Sequence, residues 1–160
     1  MIYNEYIFSD TLSSPIGTLY IQANEKKLLY TGFCKQNTPI SPNSITHTCK
    51  TQLLEYFSGQ RTIFNLPLYF TSSDFAIAVY RQCIKIPYGT IITYSDIASH
   101  IGTKSAIAVG QALKRNPFLI IVPCHRVFSK THMPTGYVAG LWRKEWLTHF
   151  ETTHVKNVTV

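Results

Sequence analysis

The sequence predicts an α+β protein, with a small N-terminal α+β domain over residues 1–72 and a mainly helical C-terminal domain over residues 73–160. Short apolar or alternating runs separated by turn residues dominate the first part, which is typical of strands. Apolar residues at helical spacing dominate the second part. The pattern changes near residues 71–74, and 160 residues are enough for two small domains.

Three strands are expected at the start of the chain. The apolar runs predict strands around residues 6–8, 19–21 and 28–33, with a turn at Pro15-Ile16-Gly17 between the first two. The stretch that follows, residues 36–47, is rich in Pro, Ser, Asn and Thr and predicts a loop.

A helix and a short extended segment complete the N-terminal part. Helical spacing predicts a helix over residues 48–57, which Ser58-Gly59 ends. Residues 66–70 are expected to be extended.

Three helices are expected next. The first is capped by Ser73-Asp74 and ends before Pro87-Tyr88-Gly89. The second spans residues 95–101 and the third residues 105–115, joined by a tight turn at Gly102-Thr103-Lys104, which predicts a helix-turn-helix. An ordinary αα-hairpin is the alternative. The expected apolar face of the first helix consists of Phe75, Val79, Cys83 and Ile86.

The end of the chain contains an apolar run and a closing helix. Residues 119–122 are expected to be extended and to lead into Pro123-Cys124-His125-Arg126. A helix is predicted over residues 141–150. Its expected buried residues are Leu141, Trp146, Leu147 and Phe150.

Composition favours a globular, cytoplasmic protein. Hydrophobic residues make up 45% and charged residues 14% of the chain. No apolar run approaches the ~20 residues that cross a bilayer, and residues 1–5 lack the basic start of a signal peptide. We therefore expect no membrane contact. Fifteen Lys and Arg against eight Asp and Glu give a net charge of +7, which favours a polyanionic partner.

The four cysteines form no Cys-x-x-Cys pair. We expect Cys34, Cys49 and Cys83 to be small core residues. A metal shared by Cys34, His47 and Cys49 is an open alternative, but the spacing matches no common zinc pattern, and we predict no metal.

The most informative residues are Cys124 and His125. A thiolate is the reactive form of cysteine, and a base that takes the thiol proton makes the sulfur a nucleophile. Adjacent side chains on extended backbone point apart, so this pair needs a turned backbone or a bridging water. The alternative is a buried structural cysteine beside a surface histidine.

These residues stand in a sequence that resembles the O6-alkylguanine-DNA alkyltransferase family. The active-site signature of that family, Pro-Cys-His-Arg-Val, stands intact at residues 123–127. The resemblance covers nearly the whole chain. Further matching segments are residues 14–17, 56–59, 86–90, 93–98, 106–110, 115–117, 137, 140–141, 144–147 and 151.

The resemblance implies direct DNA repair, in which an alkyl group passes irreversibly from a flipped-out guanine to Cys124. His125 would act through a water as the base, and Glu151 would hold its tautomer. Tyr94 would donate a hydrogen bond to the departing guanine, and Asn116 would brace the turn that carries Cys124. The expected partner is double-stranded DNA containing O6-alkylguanine, the protein is expected to act as a monomer, and no cofactor is needed.

The resemblance also implies a winged-helix-like DNA-binding motif that enters the minor groove. Its third helix would approach DNA through small residues and flip the base out. This chain has Ile107 where the family has an arginine, which predicts weaker DNA affinity. The small residues are Ala106, Ala108 and Gly110, and the expected phosphate contacts come from Lys104, Lys114 or Arg115.

Residues 129–139 are expected to form one wall of the base pocket. The pocket residues in this loop are Met133, Tyr137 and Val138. Val138 replaces a small polar residue that is usual in the family, so the range of alkyl groups is left open, as is action on O4-alkylthymine. Pro134 lies in the same loop.

Two other functions remain as alternatives. One is a non-catalytic or weakly active lesion-binding protein of the alkyltransferase-like type, which commonly has tryptophan in place of the cysteine. The other is a cysteine hydrolase that uses Cys124 and His125, although no oxyanion-hole motif is recognisable.

Overall fold

A computed structural model describes residues 5–133 and 135–158, with side chains as far as Val155. The chain divides into two compact units, Met1–Phe70 and Thr71–Val160. Within the described residues, no helix is long and apolar enough to cross a lipid bilayer.

The first unit contains a three-stranded antiparallel sheet. Strand β1 spans Phe8–Ser14, β2 spans Gly17–Ala23 and β3 spans Leu28–Gly32, in the order β1-β2-β3. The strand predicted at residues 6–8 therefore begins only at Phe8, because Tyr6 and Ile7 are exposed and pair with no strand of this sheet. Alternate residues of β2 are buried, which is the pattern of a sheet covered on one face.

One helix, α1, packs against this sheet and spans Ser44–Phe57. It begins four residues earlier than predicted, so residues 44–47, which were predicted to end a loop, belong to the helix. The reason is a reciprocal cap, in which the Asn43 side chain accepts from the Thr46 N–H and the Thr46 hydroxyl accepts from the Asn43 N–H. The predicted extended segment near residues 66–70 contributes Leu68, which forms a parallel bridge with Leu28.

The second unit is mainly helical. It contains α2 (Asp74–Ile84), β4 (Ile92–Thr93), α3 (Tyr94–His100), α4 (Ala106–Lys114), a 3₁₀ helix (Cys124–Arg126), β5 (Val127–Phe128) and α5 (Leu141–Val158). Strands β4 and β5 are parallel. Helix α2 packs against α3 and α4. Val79 and Cys83 of the predicted apolar face are buried, but Phe75 is 38% exposed and does not belong to the buried face.

Helices α3 and α4 form the predicted helix-turn-helix, with ends within one residue of the predicted ones. The Thr93 hydroxyl caps α3 and the Ser105 hydroxyl caps α4. Gly102 adopts a φ of +80° in the turn between them, a conformation that a residue with a Cβ rarely adopts.

The segment before Cys124 is a series of turns, so the prediction of an extended segment at residues 119–122 is wrong. Ile120 has a φ of +74°. The cause is the Asn116 side chain, whose amide donates to the Val122 carbonyl at 2.9 Å and whose oxygen accepts from the Phe118 N–H. These side-chain bonds hold the backbone in place of a strand ladder.

Helix α5 is longer than predicted and buries a different face. Leu147 is fully buried, but Leu141 is 42% exposed and Trp146 and Phe150 are only half-buried. The buried face instead contains Lys144 and Glu151, seven residues apart and therefore on the same side of the helix.

Candidate active site

A cavity of about 620 Å³ in the second unit brings most of the predicted site residues together. Helices α3 and α4 form one side of it, and residues 129–130 and 135–138 form another. The predicted residues that line it are Tyr94, Lys104, Ala106, Ile107, Gly110, Cys124, Tyr137 and Val138. Its volume is within the roughly 300–1,000 Å³ of small-molecule sites.

Cys124 begins the 3₁₀ helix and is 5% exposed, at the cavity. Burial raises the pKa of its thiol to about 11, although a hydrogen bond and a nearby charge oppose the rise. The hydrogen bond comes from the Asn116 amide, which lies 3.2 Å from Sγ, and the charge is that of Lys144. Cys124 is therefore a neutral thiol at pH 7, and it needs a base to react.

His125 is fully buried and pairs with Glu151, with 2.7 Å between Nε2 and Oε1. Burial lowers the pKa of His125, although the carboxylate of Glu151 acts in the opposite direction. The imidazole is therefore neutral at pH 7. Because an ionised carboxylate can only accept, Nε2 carries the proton and Nδ1 keeps its lone pair. Nδ1 is buried and has no hydrogen-bond partner among the described residues.

Glu151 is 1% exposed, so it is not the solvated helix-end acid that its sequence position alone suggests. Its Oε2 accepts from Arg126 Nε at 2.8 Å and from the Gly89 N–H at 3.2 Å, and its Oε1 accepts from Arg126 Nη2 at 2.9 Å. Burial alone would raise the pKa of this carboxyl, but His125 and Arg126 hold it well below its usual range. Glu151 is therefore ionised.

Lys144 is a second buried cation. Both Lys144 and Arg126 stand in segments that match the family, but neither is among the residues predicted for the site. The Lys144 Nζ donates to the carbonyls of Val127, Thr135 and Gly136 at 2.6, 3.3 and 3.4 Å, and it lies 3.4 Å from the Tyr94 hydroxyl. Burial lowers the pKa of Lys144 to about 8. Its spacing from Leu147 and Glu151 on α5 is the sequence signal that could have placed it on the buried face.

Tyr94 is the first residue of α3 and lines the cavity. Its hydroxyl donates to the Thr135 carbonyl at 3.1 Å, and burial raises its pKa, so the phenol stays a neutral donor at pH 7. Gly110 lies against its ring, where an added Cβ would be 3.7 Å from Cε1.

Asn116, His125 and Glu151 are buried and are not part of the cavity lining, and three of the residues predicted to contact DNA or substrate also lie outside that lining. Ala108 is half-buried on α4, Arg115 is the exposed C-cap of that helix, and Met133 is 62% exposed. By contrast, Lys114 and Lys130 line the cavity, as Lys104 does, and give its rim a positive charge. Pro134 lies outside the described residues.

The other cysteines are divided between core and surface. Cys49 and Cys83 are buried, but Cys34 is exposed, so its predicted core position is wrong. In the part of the chain that the structure describes, no group of three or more His, Cys, Asp or Glu side chains could hold a metal ion.

Two family models together match most of the chain. The DNA-binding domain of 6-O-methylguanine DNA methyltransferase matches residues 74–153, and the ribonuclease-like domain of the same family matches residues 7–70. The chain belongs to the 6-O-methylguanine DNA methyltransferase family. This confirms the resemblance inferred from residues 123–127 and their neighbours.

Other members of the family resemble the chain over nearly its whole length. A methylated-DNA–protein-cysteine methyltransferase of Methanosarcina barkeri is 37% identical over 158 residues, which is 94% of this chain and 100% of that protein. The constitutive enzyme of Bacillus subtilis is 38% identical, over 81% of this chain and 86% of its own. The crystal structure of Mycobacterium tuberculosis OGT in complex with DNA superposes with a TM-score of 0.83 at 35% identity, covering 92% of this chain and 94% of that one.

Proposed function

We propose that this protein repairs DNA directly, by transferring the alkyl group of an O6-alkylguanine to Cys124 in a single turnover. The observation that carries the proposal is the site itself: a thiol lies at a cavity large enough to admit a nucleobase, and a neutral imidazole held by an ionised carboxylate follows it in the chain. The family and its methyltransferase relatives support the same activity.

The reaction needs a proton transfer and one displacement. A water between the thiol and His125 Nδ1 would pass the thiol proton to the imidazole. The thiolate then attacks the sp³ carbon of the alkyl group, the carbon–oxygen bond breaks, and its electron pair stays on the guanine. The products are a thioether at Cys124 and a guanine that regains a proton. The protein supplies every group, and the thioether cannot be reduced by ordinary thiols.

Tyr94 and Asn116 would support this displacement. The Tyr94 hydroxyl is a neutral donor at the cavity, and by turning from the Thr135 carbonyl to the departing base it would stabilise the charge that builds there. The Asn116 amide donates to Sγ, which favours the thiolate, and to the Val122 carbonyl, which fixes the turn.

The partner is DNA, and the target base must leave the stack because its O6 lies inside the duplex. In this proposal α4 enters the minor groove, where Ala106 and Gly110 permit close approach and Ile107 separates the base steps. Ile107 is 76% exposed, so it is free to do so. Action as a monomer in the cytoplasm stays a prediction.

The non-catalytic alternative is not favoured, because Cys124 is present with a base and an ionised acid beside it. A hydrolase would turn over, whereas a thioether would not be released. Alkyl transfer, lesion binding and hydrolysis therefore differ in whether an alkyl adduct accumulates on the protein and in which residue carries it.

The function is tested by incubating the protein with duplex DNA that contains O6-methylguanine and measuring intact mass. We expect one methyl group per protein, located on the peptide that contains Cys124. Exposed Cys34 is the internal control, because indiscriminate alkylation would reach it first. Binding without an adduct would support the lesion-binding alternative, and repeated turnover without an adduct would support a hydrolase.

A second prediction concerns Ile107. Ile107→Arg is expected to raise affinity for duplex DNA and the repair rate, because arginine adds a positive charge and hydrogen-bond donors at the orphaned base. Fluorescence anisotropy at fixed salt measures the affinity. Ile84→Arg is the matched control, since Ile84 is 44% exposed at the end of α2 and outside the cavity. An equal gain in both variants, or none at Ile107, would refute the special role of this position.

A further inference from the structure

The buried carboxylate of Glu151 receives more hydrogen bonds from Arg126 than from His125. Arg126 Nε and Nη2 each contact one oxygen of the carboxylate, at 2.8 and 2.9 Å, and Nη1 donates to the Ile86 carbonyl at 2.7 Å. The Arg126 side chain is 6% exposed, and its contacts with both carboxylate oxygens are the strong two-point arrangement. Arg126 therefore joins α5, the 3₁₀ helix and the segment that follows α2.

The number of protons on the His125–Glu151 pair decides whether the pair can act as a base. With one proton, that proton lies on Nε2 against the ionised Glu151, and Nδ1 has a lone pair. With two protons, the second lies on Nδ1, whether the pair is imidazolium with carboxylate or imidazole with carboxylic acid. Either doubly protonated form leaves no nitrogen to accept the thiol proton, so the pair must be treated as one titrating unit.

We propose that Arg126 is a positioning residue for the alkyl transfer, which holds the His125–Glu151 pair in its singly protonated form and so keeps Nδ1 available as the base. A fixed positive charge beside the pair opposes entry of a second proton. Its two hydrogen bonds also consume lone pairs of the carboxylate that a proton would need. The inference rests on the proposed function for its catalytic meaning, but the protonation of the pair can be measured by itself.

Among the groups that the structure describes, Arg126 is the cation closest to the pair. Lys144 on α5 is positive and also lowers the pKa of His125, but it bonds to carbonyls and not to Glu151. Cys124 is a neutral thiol beside His125. From the α2 side, burial raises the pKa of Cys83 and, to about 12, that of Tyr88, so both are neutral at pH 7. The Arg126 guanidinium lies 5.6 Å from the centre of the Tyr88 ring.

The test compares Arg126→Gln, which removes the charge, with Arg126→Lys, which keeps the charge but not the two-point contact. In single-turnover transfer from O6-methylguanine DNA, the pH at which the rate falls on the acid side is expected to rise by about 1–3 units in Arg126→Gln. A smaller rise is expected in Arg126→Lys. The midpoint pH of the His125 titration, measured by NMR on the ¹⁵N-labelled imidazole without DNA, should rise by the same amount.

Arg81→Gln is the matched control, since Arg81 is exposed on α2 and its loss also removes one positive charge. A purely structural role would lower the rate of Arg126→Gln equally at every pH and leave the His125 titration unchanged, which would overturn the proposal. If Arg126→Gln does not fold, Arg126→Met decides, because it also removes the charge and an unshifted His125 titration there would overturn the proposal. A wild-type protein that forms no adduct would refute the proposed function, while the NMR titration would still test Arg126.

Discussion

Glu151→Gln is expected to slow alkyl transfer by about 10²–10⁴-fold, the usual contribution of general base catalysis. A glutamine amide cannot hold the Nε2 proton of His125 as an ionised carboxylate does, and its NH₂ group can instead donate to Nε2. The proton of the imidazole then moves to Nδ1, and the base for Cys124 is lost. Single-turnover kinetics with methylated duplex DNA measure the effect.

The same variant is expected to lose stability. It leaves the buried Arg126 guanidinium without its counter-charge, and breaking a buried ion pair costs about 3–5 kcal/mol. Because the pKa of Glu151 is depressed in the folded protein, its stabilisation is complete above the ordinary carboxyl pKa and is lost as the pH falls below it. Urea unfolding at a series of pH values should therefore show a weaker acid dependence in Glu151→Gln than in the wild type.

Glu145→Gln is the control for this substitution, because Glu145 is an exposed acid on the same helix. It is expected to leave both the transfer rate and the unfolding curve unchanged. A wild-type rate in Glu151→Gln would mean that the carboxylate does not orient the base, and the proposed proton path would have to be abandoned.

The parts of this site that sequence could predict are those with a local signature. Residues 123–127 form a contiguous motif, and the helix-turn-helix is marked by its caps and by Gly102. The turns before Cys124 were missed because their cause is the Asn116 side chain, which bonds to backbone six residues ahead. When the hydrogen bonds of the Asn116 side chain are unknown, the apolar run at residues 119–122 predicts a strand.

The buried cations were missed for a different reason. Lysine and arginine are almost never fully buried unless paired, so composition assigns them to the surface. Arg126 is buried because Glu151 lies opposite it, 25 residues later in the chain, and Lys144 is buried because carbonyls of the loop and of β5 surround it. These contacts depend on the tertiary fold. The spacing of residues on α5 can place Lys144 on the buried face, but it does not show which groups bind it there.

Lys144→Met is expected to slow transfer by about 10-fold or more while changing stability little, which is the opposite balance to Glu151→Gln. The rate falls because the positive charge of Lys144 favours the thiolate of Cys124, and because its ammonium ties the Tyr94 hydroxyl and the loop carbonyl of Thr135 together. A loss of one pKa unit of thiolate stabilisation is a tenfold loss of thiolate. Single-turnover kinetics over a range of pH measure both contributions.

Stability is expected to change little in Lys144→Met because two effects oppose each other. Burying an ammonium is costly, as its pKa of about 8 records, and methionine removes that cost. The Val127 carbonyl loses its 2.6 Å bond, which costs about 1–3 kcal/mol if the group stays unsatisfied.

Since a depressed lysine pKa means that the wild type gains stability as the pH rises from about 8 towards the ordinary value, that gain should be absent in the variant. Lys85→Met, at the exposed C-cap of α2, controls for the lost charge. If Lys144→Met greatly lowers the free energy of unfolding, but the fraction that stays folded transfers the alkyl group at the wild-type rate, Lys144 has a structural role only.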